Sequence, residues 1–213
     1  LEVGDGEAAK KALAAALDAN PDHVDALSSF AELCFGDGDY EGAEQALIRL
    51  ARLTSEPDKQ IGIYFRLGEL YDELLPNDER AELAYQEILK RRPTDPGARE
   101  KLISLYRRTG QMPRAVEEQN VLVNAAETPE EKCQRTIELA EILEEVGDLK
   151  KAESTLVVAR KSFPKSDAAL RSLVRFYQRT GQGPAGAILL DRAVADARRA
   201  LGTGRFETFL FET

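Results

Sequence analysis

One pattern recurs five times along the chain and constrains everything else. Segments starting at Phe30, Leu67, Leu102, Leu139 and Leu173 each place Cys, Tyr or Leu four positions after a bulky apolar residue. A turn rich in Gly, Asp or Asn follows, and then a second apolar run with a small residue near its start: Ala43, Ala81, Ala115, Ala152 and Gly186. Four residues on stands a larger one (Leu47, Tyr85, Leu156, Leu190), with Gln119 as the exception; three beyond that come Leu50, Ile88, Leu122, Ala159 and Ala193. Spacings of three and four put these residues on one helical face. The glycine turns are natural helix stops, and Pro21, Pro93 and Pro164 sit where second helices should end. The chain therefore reads as antiparallel helix pairs, with no alternating strand pattern.

These residues resemble the tetratricopeptide repeats, whose period is about 34 residues and whose signature is Trp, Leu-Gly and Tyr in the first helix and Ala, Phe, Ala and Pro in the second. The nearest unit is Tyr64, Leu67-Gly68, Tyr71, Ala81, Tyr85, Ile88 and Pro93, and Ala9, Leu13, Ala16 and Pro21 supply a half-unit at the start. The resemblance implies an all-α, right-handed α-solenoid of helix-turn-helix repeats. The expected divisions are a half repeat at 1–23, full repeats at 24–60, 61–95, 96–132, 133–166 and 167–200, and a further helix or cap beginning in 201–213. Two features depart from the pattern: no repeat has the tryptophan, and Ile103 and Val174 stand where Gly or Ala permits close packing, so those hairpins are expected to open slightly.

A longer rhythm overlies the repeat. Repeat starts near 24, 61, 96, 133 and 167 give two-repeat intervals of 72, 72 and 71 residues, more even than the single spacing. LYRRTGQMP in the third unit also resembles FYQRTGQGP in the fifth. A duplicated two-repeat unit accounts for both. Leu1 is not an initiator methionine, the first unit is only a second helix, and the apolar Phe206, Phe209, Leu210 and Phe211 begin a helix that the sequence does not finish. Solenoids end on polar caps, so the expectation is a piece of a longer array; the alternative is a complete chain whose last helix folds back or dimerises.

Composition removes several functions. The 213 residues carry 29 basic and 38 acidic side chains, a net charge of −9, and the acidity argues against a nucleic-acid backbone or an anionic membrane as the main partner. No stretch approaches the roughly 20 apolar residues of a membrane span. Cys34 and Cys133 cannot form a disulfide framework, and the single His23 cannot anchor a multi-histidine metal site. Cys34 replaces the first-helix tyrosine and is expected in the core, whereas His23 lies in an NPDH turn and is expected to be exposed. The glycines of LGTGRF follow a helix rather than a strand and so do not make a phosphate loop. No catalytic, cofactor or metal residue is assigned, and the chain is expected not to be an enzyme.

In the resembled family the first helices line a concave groove. The residues between core positions then band that groove acidic, acidic, basic, acidic, basic: Asp25 and Glu32, Glu69 and Asp72, Arg107 and Arg108, Glu141 and Glu144, then Arg171, Arg175 and Arg179, with Phe35 and Phe65 as apolar anchors. Such a surface suits a protein or peptide segment carrying both signs of charge. Adjacent bands can equally pair with each other and stiffen the stack. A clamp for two carboxylates, which some family members build from Lys, Asn and Arg, is not expected: the corresponding positions hold Ser28, Glu32, Arg66, Gly97 and Lys101. The implied function is a non-catalytic scaffold or adaptor. The alternatives are a recruiting arm of a larger enzyme and self-association through terminal apolar surface.

Overall fold

Most helix starts are set by a side chain that accepts from the backbone or by a proline that does not need to donate. In the computed structural model, which describes residues 3–201, eleven α-helices follow one another: α1 Val3–Ala19, α2 Val24–Asp37, α3 Tyr40–Leu53, α4 Pro57–Glu69, α5 Asp78–Arg91, α6 Pro96–Arg108, α7 Met112–Ala125, α8 Pro129–Val146, α9 Leu149–Ser162, α10 Asp167–Arg179 and α11 Gly183–Leu201. Among the described residues no strand forms. The N–H groups of Gly42, Arg80, Ala98, Glu131, Lys151 and Ala169 donate to Asp39, Asn77, Asp95, Thr128, Asp148 and Ser166 at 2.9–3.2 Å, satisfying donors that a helix N-terminus leaves orphaned. Proline occupies the first turn of α4, α6 and α8. Gly38, Gly110, Gly147 and Gly181 take φ of +74° to +84° just past α2, α6, α8 and α10, the left-handed stop that other residues resist. α1, α5 and α9 each end two residues before Pro21, Pro93 and Pro164.

This is the all-α class expected, built of tetratricopeptide-like hairpins. The chain divides into two compact units, Leu1–Glu118 and Gln119–Thr213, the division falling within α7. The segment containing Phe206–Phe211, expected to start a further helix, lies outside the described residues.

The hairpins close on small residues. Ala31, Ala43, Ala81, Ala140 and Ala152 are wholly buried, as are the bulky Leu47, Tyr85 and Ile88; burying side chains of the latter size contributes about 1.5–3 kcal/mol each. The tightest approach pairs Gly68 of α4 with Tyr85 of α5: a Cβ on Gly68 would lie 2.4 Å from the tyrosine ring. The fifth hairpin lacks that glycine–tyrosine contact. Val174 takes the glycine's place on the first helix, and Gly186 faces it from α11, its Cβ position 3.6 Å from the Val174 carbonyl oxygen. The expected opening at Val174 is therefore answered by a glycine on the other side.

Two other departures have physical reasons. Gln119, an odd polar residue at a core position, is 2% exposed, and its amide donates to the Arg135 carbonyl at 2.9 Å and to Glu138 at 3.1 Å. Leu190, expected in the core, is 43% exposed, because no described element beyond α11 covers that face.

The second hairpin carries one residue too many. Tyr71 to Ala81 spans ten positions where the other four hairpins use nine. A π-helical turn, Leu70–Leu74, absorbs it: the Leu75 N–H donates to the Leu70 carbonyl and the Asn77 N–H to that of Tyr71, both at 2.8 Å.

Gly68 and Gly62 lie in the same helix and predict opposite outcomes. Gly68→Ala should destabilise the protein by about 1–3 kcal/mol, because the buried Tyr85 ring has to shift. Gly62 has nothing within 4 Å of its Cβ position, so Gly62→Ala should stabilise by up to about 1 kcal/mol through helix propensity. Urea midpoints of the two variants check this; equal shifts would mean that the Gly68–Tyr85 contact does not set the hairpin.

Candidate functional site

The first helices carry many exposed charges, and the repeat spacing brings several of them together. In the unit of residues 1–118, Arg66 pairs with Glu32 at 2.5 Å, Lys101 with Glu69 at 3.4 Å, and Arg108 with Asp72 at 3.1 Å and Asp78 at 2.5 Å. In the unit of residues 119–213, Arg179 reaches both oxygens of Glu144 at 2.9 Å. The first-helix pairs join side chains 32 to 36 residues apart, about one repeat. Glu69, Asp72, Arg108, Glu144 and Arg179, read from sequence as groove residues, are thus engaged within their own units. Asp78 above all, and then Asp72, hold the Arg108 guanidinium protonated beyond its usual range. Arg107 is exposed but is not without a partner.

The two aromatic anchors also have neighbours. Phe35 is half-buried with the Arg66 guanidinium over its face, 4.8 Å from the ring centre. Phe65 is half-buried between Tyr85, with ring centres 6.4 Å apart, and Gly97, whose Cβ would lie 3.1 Å from Cζ. What remains is Glu141 on α8 with Arg171 and Arg175 on α10. All three are exposed, and among the described residues they make no ion pair or hydrogen bond. Glu141 and Arg175 line one narrow cleft with Ser172, Glu144 and Arg179.

A second set of contacts, not foreseen from the sequence, joins successive hairpins. The Tyr71 hydroxyl donates to Glu44 Oε1 at 2.6 Å, while Arg80 pairs with the same oxygen and lies over the Tyr71 ring, 5.6 Å from its centre. Tyr106, Glu82 and Arg114 repeat the arrangement, with the phenol at 3.3 Å and the guanidinium 4.1 Å from the ring centre. In the other unit Tyr177 donates to Glu153 at 3.0 Å, and Ala185 stands at the arginine's position. The signal was the step from small residue to Glu at 43–44, 81–82 and 152–153, preceded by Arg80 and Arg114. Burial first, and the carboxylate second, push the Tyr71 and Tyr106 phenols up to about 12.

Little of the surface is equipped for chemistry. Cys34 is fully buried as expected; burial raises its thiol, which donates to Asp39 at 3.6 Å. Cys133 is buried against Ser166 at 3.3 Å. His23 is exposed, and its Nδ1 accepts from the Ala26 N–H at 3.1 Å as the cap of α2. Among the described residues no three His, Cys, Asp or Glu side chains are grouped to hold a metal, and no helix is long and apolar enough to cross a membrane.

Three surface depressions are larger than the α8–α10 cleft. One, of about 320 Å³, lies on the first-helix side between α2, α4 and the π turn, lined by Phe35, Arg66, Glu69, Leu70, Glu73 and Leu74. The other two recur on the second-helix side. Ile48, Tyr71 and Leu83 line about 250 Å³, and their counterparts Val157, Tyr177 and Ile188 line about 300 Å³.

The family model described as tetratricopeptide repeat matches residues 1–60. No curated protein matches the chain in sequence. Among solved structures, MamA from Desulfovibrio magneticus RS-1, starting at its residue 41, is similar with a TM-score of 0.54 and 17% identity, covering 84% of this chain and 97% of that one. YrrB, described as a TPR protein with an unusual peptide-binding site, gives 0.53 and 16% over 96% of this chain and 100% of that one. A chain of the Naa15/Naa10 complex bound to HypK-THB gives 0.67 and 17% over 93% of this chain, which spans 30% of that longer one. At these identities the likeness is one of fold.

Two outcomes follow from the pairing. Arg108→Glu puts a third carboxylate beside Asp72 and Asp78 and should cost about 1 kcal/mol of stability; Arg175→Glu should leave the melting temperature unchanged. In alkali, the folded state holds the Tyr71 and Tyr106 protons above the ordinary phenol value of 10.0. The stability this contributes is complete below pH 10 and is lost as the pH rises towards about 12. Ultraviolet titration should show a late phenolate step that is smaller in a Tyr71→Phe/Tyr106→Phe variant than in wild type, the remainder coming from Tyr85 and Tyr177, which burial also raises. A step of ordinary pKa in its place would contradict the burial of these hydroxyls.

Proposed function

We propose that this chain, a member of the tetratricopeptide-repeat family, is a non-catalytic protein–protein interaction module whose first helices line a groove for a segment of a partner protein. The observation that carries the reading is the uneven state of the first-helix charges. Glu32, Glu69, Asp72 and Glu144 are each neutralised by a cation about one repeat away. Arg171, Arg175 and Glu141 stand exposed without such a partner among the described residues. A cation held in place by its helix and left unmatched loses no internal pair when a ligand carboxylate arrives, so binding there costs least. The fold neighbours support the class: YrrB is described with a peptide-binding site, and Naa15/Naa10 with HypK is a protein complex. In the unit of residues 1–118, Phe35 and Phe65 offer apolar surface on the first helices. No cofactor enters this function.

A second reading, in which the chain is the recruiting arm of a larger enzyme, draws support from the 30% share of the longer Naa15/Naa10 chain that it spans. Self-assembly through apolar end surface is a third, and sedimentation across a concentration series separates it from a monomeric module.

The test is affinity capture with wild type and with an Arg171→Glu/Arg175→Glu double variant, matched for melting temperature. Proteins retained by wild type and lost by the variant, then shown to bind as purified components with the same difference, are the expected result. Equal capture by both would move the site to the second-helix side or remove it.

A further inference from the structure

The π turn has a consequence beyond absorbing a residue. α2, α6, α8 and α10 are each followed by a left-handed glycine, but after α4 the chain widens through Leu70–Leu74 and turns at Leu75–Asn77 without one. The widened turn holds Asp72 inward, where it accepts from the Tyr85 hydroxyl at 2.6 Å and pairs with Arg108. Glu73 and Leu74 are left exposed at the rim of the 320 Å³ depression, Leu74 at 39%. The exposed Leu74 and half-buried Phe35, beside the buried Leu70, give the depression a small apolar centre within a polar rim.

The charges around that centre are unbalanced. Arg66 is already matched by Glu32 at 2.5 Å and rests on Phe35. Glu69 shares a long, exposed 3.4 Å pair with Lys101. Glu73 has no ion pair or hydrogen bond among the described residues. The rim therefore presents net negative charge over an apolar centre.

We propose that this depression takes a basic, apolar-anchored segment of a partner protein, with one bulky side chain against Phe35, Leu70 and Leu74 and a flanking lysine or arginine against Glu73 and Glu69. The assignment rests on the groove-binding reading and adds a charge preference to it: the α2–α4 depression selects cations, whereas Arg171 and Arg175, in the other unit, select anions. Apolar contact supplies the anchor, and the carboxylates choose among partners, so the interaction weakens with salt.

The experiment is selection of a random peptide library displayed on phage against the folded wild-type chain, followed by anisotropy titration of the enriched peptides after synthesis. The expected peptides carry a bulky apolar residue flanked by Lys or Arg. Their affinity should fall about tenfold in Glu73→Lys and in Leu74→Asp, less in Glu73→Gln, and not at all in Arg171→Glu/Arg175→Glu. Circular dichroism and melting of the variants should match wild type, since both side chains are exposed. Acidic peptides, or peptides lost only in the arginine variant, would overturn the proposal while leaving the groove reading intact. Peptides indifferent to all of these but lost in Leu83→Asp, or no enrichment at all, would overturn both.

Discussion

The close seating of a large side chain in the space left by a small one, within each helical hairpin, is the constraint from which the other features follow. Tyr85 against Gly68 is its extreme case. Where the first helix cannot be small, as at Val174, the second helix is, at Gly186. Interiors packed at crystal-like density tolerate such an exchange of volume but not its loss.

A fixed separation converts sequence interval into spatial register. Residues one repeat apart come to face each other, which is why the first-helix pairs join residues 32 to 36 positions apart. The same geometry makes the tyrosine contacts: Tyr71 and Tyr106 each reach back to the glutamate beside the preceding hairpin's small residue, and an arginine from their own hairpin closes over the ring. The charges are only partly exposed there, since the side chains of Glu44 and Glu82 are 16% and 21% accessible. The first-helix pairs span a wider range, from Asp72 at 11% and Glu144 at 16% to Glu32 at 63% accessible, and the exposed ones are individually worth about 0–1 kcal/mol.

Most of this order is legible in the sequence because it is local. Caps and glycine stops depend on one or two residues, and apolar spacing depends on a turn or two; Cys34 in the core and His23 at an exposed cap are of that kind. The role of Gln119 was not legible, since a buried amide is explained only by the carbonyl and carboxylate that meet it. Leu190 was misread for a related reason: burial belongs to a face and its cover, and spacing reports only the face. The banding of the first helices names charges of which Asp72 and Glu144 are largely covered, and which of them pair depends on side-chain reach over a few ångströms. The extra residue between Tyr71 and Ala81 could be counted beforehand, yet counting does not say whether it is taken up in a loop or in the helix itself.

That last difference bears on function. An extra residue in a loop would have lengthened the turn and left the first-helix face as in the other hairpins. Taken up in the helix, it changes which side chains the helix presents in its final turn: Asp72 is committed to Tyr85 and Arg108, while Glu73 and Leu74 face solvent. The hairpins are otherwise interchangeable in plan, and a module built from interchangeable parts can discriminate among partners only where the parts differ. On the proposed reading that place, in the unit of residues 1–118, is the π turn. In the unit of residues 119–213 it is the stretch of α10 where Arg171 meets no acid, because Ile137 stands about one repeat earlier. Both are sites where the ladder of internal pairs lapses. A lapse leaves a charge hydrated but already positioned, so a ligand that supplies the missing partner displaces water rather than another side chain.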